Sequence, residues 1–215
     1  MYKITKESRI HFNENGWVLI YLNIEKTQIM KCHEAVNRMR QKAIEIMYNP
    51  CRVYYDHLTN FNLAAIDAPF NSRICAKEIE EFFSQINLGS MVKDLMSWDD
   101  TYCSLARLFC MGNYNYRGTW HRDNLQEKSI RLKSSLSKHL VQAMIYFDNQ
   151  RGFRLLKNEY DFGGPQTLIP TITASNEIEE YHYPLSPPHH SYEILNGVPG
   201  SVLFFDPLRL HQGSN

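Results

Sequence analysis

His121-Arg122-Asp123 is the segment of this chain whose residue types and spacing suit metal chemistry. On an extended strand residues i and i+2 point to the same face, so the His121 imidazole and the Asp123 carboxylate can converge on one ion while Arg122 points away. His211 offers a third ligand. It lies directly after Gly200-Ser-Val-Leu-Phe-Phe-Asp-Pro-Leu-Arg-Leu, a turn glycine followed by a strand of buried character, and in a barrel that strand can return beside the one bearing His121. Two imidazoles and one carboxylate on one face leave coordination positions open, the arrangement that non-haem Fe(II) oxygen chemistry uses. Spacing alone does not carry this reading. With nine histidines and nine aspartates in 215 residues, His-x-Asp arises by chance about 0.4 times, and the plain alternative is a surface His-Asp pair with an unrelated later histidine.

Such residues need a scaffold, and the chain supplies two kinds. Residues 16–24 are β-branched and aromatic after an Asn-Glu-Asn-Gly turn signal and read as a buried first strand. Between 26 and 48, Ile29, Val36, Met39, Ala43 and Met47 recur at helical spacing, and Pro50 stops the helix. A second helix is expected over 76–97, with Ile79, Phe82, Phe83, Ile86, Met91 and Leu95 on its apolar side and a break at Gly89. After Trp98 the pattern changes to short apolar segments, with strands expected at 102–111, 139–147, 152–157, 192–195 and 201–206. Residues 161–200 hold six of the nine prolines together with Tyr181, His182, Tyr183, His189 and His190, and read as a long ordered cover loop. Helices followed by an antiparallel β-core point to an α+β fold, a jelly roll or barrel with the N-terminal helices packed on one face.

The order of these features resembles the phytanoyl-CoA dioxygenase-like family of Fe(II)/2-oxoglutarate oxygenases. Asn15-Gly16-Trp17-Val18-Leu19-Ile20 is similar to that family's opening strand, and Gly118-Thr119-Trp120-His121-Arg122-Asp123 to its metal-binding segment. The run from Val141 to Leu156 is similar to its strand, acidic turn, glycine and strand, although Phe162-Gly163-Gly164 stands where a Gly-Ser-His often follows. Pro199-Gly200-Ser201-Val202-Leu203-Phe204-Phe205-Asp206, then His211, resembles its last strand and distal histidine. The resemblance covers most of the chain and implies one oxygenase-like domain over 1–215. In it, the first strand and helices (1–98) would precede a cupin-like double-stranded β-helix (99–215) whose cover is loop 161–200. It implies Fe(II) held by His121, Asp123 and His211, with 2-oxoglutarate as cosubstrate and O2 as oxidant. Oxidative decarboxylation of the oxo acid would then drive attack on a C–H bond of a small molecule. Related halogenating enzymes lack the carboxylate, so Asp123 implies hydroxylation or desaturation.

The far carboxylate of 2-oxoglutarate calls for a planar bidentate donor, an arginine. In the family that arginine follows the distal histidine on the next strand, whereas this sequence stops at Asn215. The expectation is a chain without the family's C-terminal strands, or another basic residue in that role. Arg107 is the first candidate, with Ser214 as a hydroxyl partner; an arginine facing solvent or paired with an acid is the alternative for Arg107. Trp120, Arg154, Tyr183 and His189 are candidates for facing substrate, and Arg154 with Lys157 would suit a polar or anionic one. The competing readings are a non-catalytic β-helix binding or regulatory module with a vestigial metal site, and a cupin-like metalloenzyme that needs no oxo acid.

Composition narrows the rest. Lys+Arg and Asp+Glu both count 23, so no global charge attracts nucleic acid or acidic membrane. The cluster Lys128, Arg131, Lys133 and Lys138 lacks an interleaved aromatic and reads as a solvated face, and neither nucleic acid nor membrane is an expected partner. Five cysteines without a CxxC point to a reducing compartment, and the polar start without an apolar run points to the cytoplasm. Cys103 and Cys110 flank Arg107, but nothing in the sequence marks a base for either thiol. His189 and His190 are adjacent, so on an extended chain they face opposite ways and chelate one ion poorly. Gly163-Gly164-Pro165 precedes no helix and does not form a phosphate loop.

Overall fold

Thr5 and Gly16 bracket a first helix that its apolar spacing does not announce. In the computed structural model, α1 (Lys6–Asn15) starts where Thr5 Oγ1 accepts from the Ser8 amide, and ends where Gly16, at φ 71°, returns its N–H to the Phe12 carbonyl. The described residues are 3–47, 51–56, 59–103, 106–109, 120–123, 140–157, 167–168, 181–183, 187 and 189–213; for 51–65, 150–151, 167–168 and 181–183 only the backbone is described. Strand β1 (Trp17–Tyr21) follows, then α2 (Lys26–Glu45), which buries Ile29, Cys32, Ala35, Val36, Met39 and Ala43, whereas Met47, expected on the same stripe, lies past the helix end and is exposed. The second helical stretch is two helices, α3 (Lys77–Ile86) and α4 (Leu88–Met96). The break expected at Gly89 falls at Asn87 instead. Asn tolerates the left-handed region, and at φ 50° its amide reaches the Phe83 carbonyl while its Oδ1 accepts from Ser90 N.

The β half forms antiparallel sheets. A three-stranded sheet has the order β1-β11-β6, with β6 at Gln142–Ile145 and β11 at Ser201–Phe205. A six-stranded sheet runs β10-β7-β12-β5-β9-β8, from Tyr192–Gly197, Gln150–Leu156, His211–Gln212, Trp120–Arg122, Tyr181–Tyr183 and Thr167–Leu168 respectively. A further sheet, β2-β3-β4, comes from Cys51–Asp56, Thr59–Asp67 and Arg107–Phe109. The hairpin β2–β3 is an addition to the expected elements, and the strand expected over 102–111 is formed over Arg107–Phe109, with 104–105 and 110–111 outside the described residues. Within the expected cover loop the chain returns to the sheet, as β8 pairs with β9, β9 with β5, and β10 with β7.

Strand β11 is buried along its whole length, and its alternation divides the core. Val202 and Phe204, with Val18, Ile20, Ala143 and Ile145, face a cluster built from α1 to α4. Leu203 and Phe205, with Trp17, Leu19 and Met144, face Phe153, Leu155 and Leu195 of the six-stranded sheet. The helices thus cover the outer side of the small sheet, and its inner side closes a sandwich. No described helix is long and apolar enough to cross a membrane.

Gly16 ties the two halves together. Its carbonyl accepts from the Asp206 amide, and a methyl group on its Cα would lie 2.2 Å from the Arg209 guanidinium carbon. Gly16→Ala therefore meets left-handed strain and must displace the Arg209 guanidinium that holds the Asn15 carbonyl. Urea unfolding should show a loss of at least about 1–2 kcal/mol, and an unchanged midpoint would contradict this account.

Cys32 is buried on α2, and burial, with the Glu78 charge adding to it, pushes its thiol up to about 11. Thiolate is the reactive form. Iodoacetamide at pH 8 should therefore label Cys32 at least ~100-fold more slowly in the folded chain than in urea, while exposed Cys103 reacts readily. Site-resolved mass spectrometry reads both rates.

Candidate metal centre

Strand β12 is only two residues long, yet it lies between β7 and β5 and places His211 beside both Leu155 and His121. Directly paired residues share a face, so His211 and His121 emerge on the side of the six-stranded sheet that looks into the sandwich. Their rings lie 4.4 Å apart. Asp123 stands just past the end of β5, with its amide bonded to the Pro207 carbonyl at 3.0 Å. Arg122 turns the other way and donates to the Leu208 carbonyl at 2.6 Å, so the turn before β12 holds the segment that carries two ligands.

The donor atoms converge. Asp123 Oδ1 is 3.6 Å from His121 Nε2, and Oδ2 is 3.6 Å from His211 Nε2. One ligand atom from each of the three residues lies within 4.8 Å of the others. Two donors bound side by side to one ion at about 2.1 Å sit about 3.0–3.4 Å apart, so each imidazole nitrogen lies within a few tenths of an ångström of that spacing from its nearer Asp123 oxygen. The chemistry of the set also fits. His211 Nδ1 lies 2.9 Å from the Arg209 carbonyl, an acceptor that needs Nδ1 protonated and leaves the Nε2 lone pair toward Asp123. His211 is buried, His121 and Asp123 are partly so, and Phe153 and Phe205 pack against the His211 ring at 5.7 and 5.2 Å. Two imidazoles and a carboxylate in this setting suit a first-row divalent ion.

The other sequence candidates lie elsewhere. Trp120 precedes a ligand by one residue, and strand alternation turns it to the reverse face of the sheet, where it packs with Leu156, Tyr192 and Leu210. Arg154, paired with Gln212, shares that reverse face; it donates to Gln212 Oε1 at 2.7 Å and lies over the Tyr192 ring. The structure therefore does not bring Trp120 or Arg154 to the triad. Arg107 donates to Asp67 Oδ1 at 2.6 Å within the β2-β3-β4 sheet. His189 sits in a single 3-10 turn and shares a 2.7 Å hydrogen bond with the Tyr192 hydroxyl. Tyr183 pairs with Trp120 through the backbone, its side chain lying outside the described residues, as does Ser214.

Sequence reasoning passes over Gln142, which donates from Nε2 to Asp123 Oδ2 at 2.5 Å. Its signal is alternation. Met144 on the inward side of β6 and Tyr146 just past its end continue the alternation, and a polar residue on a buried face needs a partner.

No family model matches the sequence, and no curated protein is detectably similar to it. Solved structures are. AviO1 from Streptomyces viridochromogenes Tue57 superposes with a TM-score of 0.67 at 9% identity, over 99% of this chain and 88% of that one. EctD from S. alaskensis, solved with 2-oxoglutarate and 5-hydroxyectoine, gives 0.61 at 12% identity, over 99% and 70%. SnoK, a non-haem alpha-ketoglutarate-dependent carbocyclase from nogalamycin biosynthesis, gives 0.63 at 12% identity, over 97% and 77%. EctD has also been solved with bound Fe. The chain therefore has a fold found in iron and 2-oxoglutarate-dependent enzymes.

Removing any one donor takes away one of the three side chains that could hold an ion. His121→Ala, Asp123→Ala and His211→Ala should each weaken Co(II) binding by more than ~100-fold, beyond the cost of losing an outer partner. Titration of the visible Co(II) absorption reads this, and wild-type affinity in any one variant removes that residue from the centre.

Proposed function

We propose that this chain is a non-haem Fe(II)/2-oxoglutarate-dependent dioxygenase that hydroxylates or desaturates a small organic molecule. The observation that carries the reading is the convergence of His121, Asp123 and His211 at one point inside the sandwich. Two facing antiparallel sheets around that point support a double-stranded β-helix, the jelly-roll architecture, within one domain spanning 1–215. In this reading the three residues are the Fe(II) ligands. Bound iron and 2-oxoglutarate supply the oxidising chemistry, in which the oxo acid loses CO2 as O2 is consumed and a substrate C–H bond is attacked.

The protein's own residues prepare that chemistry. The Arg209 carbonyl orients the His211 ring through Nδ1, so its lone pair meets the ion without rotational search. The Asp123 carboxylate supplies negative charge to a cation in a partly buried place, where screening by water is weak. Phe153 and Phe205 wall the site with apolar surface, which excludes water from a reactive oxidant. The small-molecule substrate would enter beneath the 161–200 segment, and the protein would work in the cytoplasm. The proline- and aromatic-rich composition of that segment and the five cysteines without a CxxC support these placements, with the 5-hydroxyectoine bound by EctD as the structural parallel for a small ligand.

A second reading keeps a metal but no oxo acid: a binding or regulatory module. The favouring observation is that the four arginines of the β half whose side chains are described, Arg107, Arg122, Arg154 and Arg209, are engaged by Asp67, Leu208, Gln212 and Asn15 respectively. None of these contacts is to a group beside the triad. Anaerobic titration separates the two readings. Fe(II) with 2-oxoglutarate should produce the weak visible charge-transfer band of a chelated oxo acid, and His121→Ala or Asp123→Ala should abolish it. Iron binding without that band would favour the binding module.

A further inference from the structure

Gln142 carries no acid–base or ligand chemistry that would single it out, yet it makes the one cross-sandwich polar contact described for Asp123. The bond, from Nε2 to Oδ2 at 2.5 Å, joins β6 of the three-stranded sheet to the ligand beyond β5 of the six-stranded sheet. The nitrogen is the group that faces the carboxylate, because the amide oxygen would be repelled there. On the same rung of the small sheet Gln142 pairs with Phe205, whose ring lies edge-on to His211. A single rung therefore touches two of the three donors, one by a hydrogen bond and one by packing.

We infer that Gln142 is a positioning residue that sets how Asp123 presents its oxygens to a cation. The inference rests on the metal-centre reading above. A carboxylate can offer an ion one oxygen or both, and offering both takes up one more coordination position. An oxygen engaged in a short, charge-assisted bond is a weaker second ligand. Oδ1 lies 3.6 Å from His121 Nε2 and Oδ2 lies 3.6 Å from His211 Nε2, so both oxygens face the centre; holding Oδ2 leaves Oδ1 as the donor, and an ion with three protein donor atoms keeps more positions for small molecules than one with four. A neutral amide does this without cancelling the carboxylate charge, which a lysine or arginine in the same place would offset. Phe205 restrains the His211 ring from the same rung, so the small sheet acts on the ligand geometry although it contributes no ligand.

The test uses the full chain with Co(II) as the probe, comparing wild type with Gln142→Ala and Gln142→Met. Methionine fills a similar volume without the donor, so it keeps the comparison valid if the alanine variant folds poorly; circular dichroism and thermal melting establish the fold of each. In both variants the visible spectrum of bound Co(II) should shift, because Oδ2 is freed to join Oδ1 at the ion and the carboxylate takes up one more coordination position. Lost packing away from the ion would leave that spectrum unchanged. A folded Gln142→Met with the wild-type spectrum, whatever its affinity, would overturn the inference and leave the metal centre standing. Failure of the wild-type chain to bind Co(II) would overturn both.

Discussion

The antiparallel rung that sets His211 beside His121 is the contact on which the site depends. It joins positions 90 residues apart, so its formation carries a loop-closure cost that only other interactions can offset. Those interactions surround the turn that leads into β12. Asp206 Oδ1 accepts from the Leu208 amide, the Arg209 amide bonds the Asp206 carbonyl, and Leu208 and Leu210 are buried. Arg209 reaches back to the Asn15 carbonyl at the end of α1, while Arg122 and the Asp123 amide hold the same turn from the other side. A two-residue strand is thereby fixed by its flanks, and His121 on β5, Asp123 just past it and His211 on β12 share a common frame.

Alternation of side chains distributes the work among three surfaces. The outer side of the small sheet receives the helices, the inner sides of both sheets enclose the metal-binding face, and the reverse side of the large sheet carries a separate group of aromatic and polar residues. Because neighbours along a strand point opposite ways, His121 lies inside while Trp120 and Arg122 lie on the reverse side. The same rule places Gln212 and Arg154 together behind His211. Proximity in sequence to a ligand is thus a poor guide to participation in the site.

The apolar interior raises the stakes for every polar group within it. Hydrogen bonds there are stronger than in water, and unmatched groups cost more. His211 has the Arg209 carbonyl for Nδ1, and Asp123 has the Gln142 amide for Oδ2. Each ligand so matched presents one defined atom to the centre. Tyr146 is a contrast: its hydroxyl is buried in the same core with no hydrogen-bond partner among the described residues, and burial alone pushes its phenol well above the ordinary range.

Much of this was legible in the residues themselves. Strand β1, helix α2 and strands β6, β7, β10 and β11 follow from period and turn chemistry, and His-x-Asp on an extended segment already implies two ligands on one face. Helix α1 was hidden because few apolar residues mark it and its evidence lies in the caps Thr5 and Gly16. The helix break moved from Gly89 to Asn87 because a conformational preference for positive φ belongs to both residue types, and only packing selects between them. The roles sketched for Trp120 and Arg154 depended on which face each would occupy. What the sequence determined by itself is local: which segments extend or coil, and which donors can act together within a few residues. The sequence offered His211 as the third donor, but only the tertiary structure brought it to His121 and Asp123 and carried Gln142 across to Asp123, because strand order and register arise from long-range burial that no local pattern encodes.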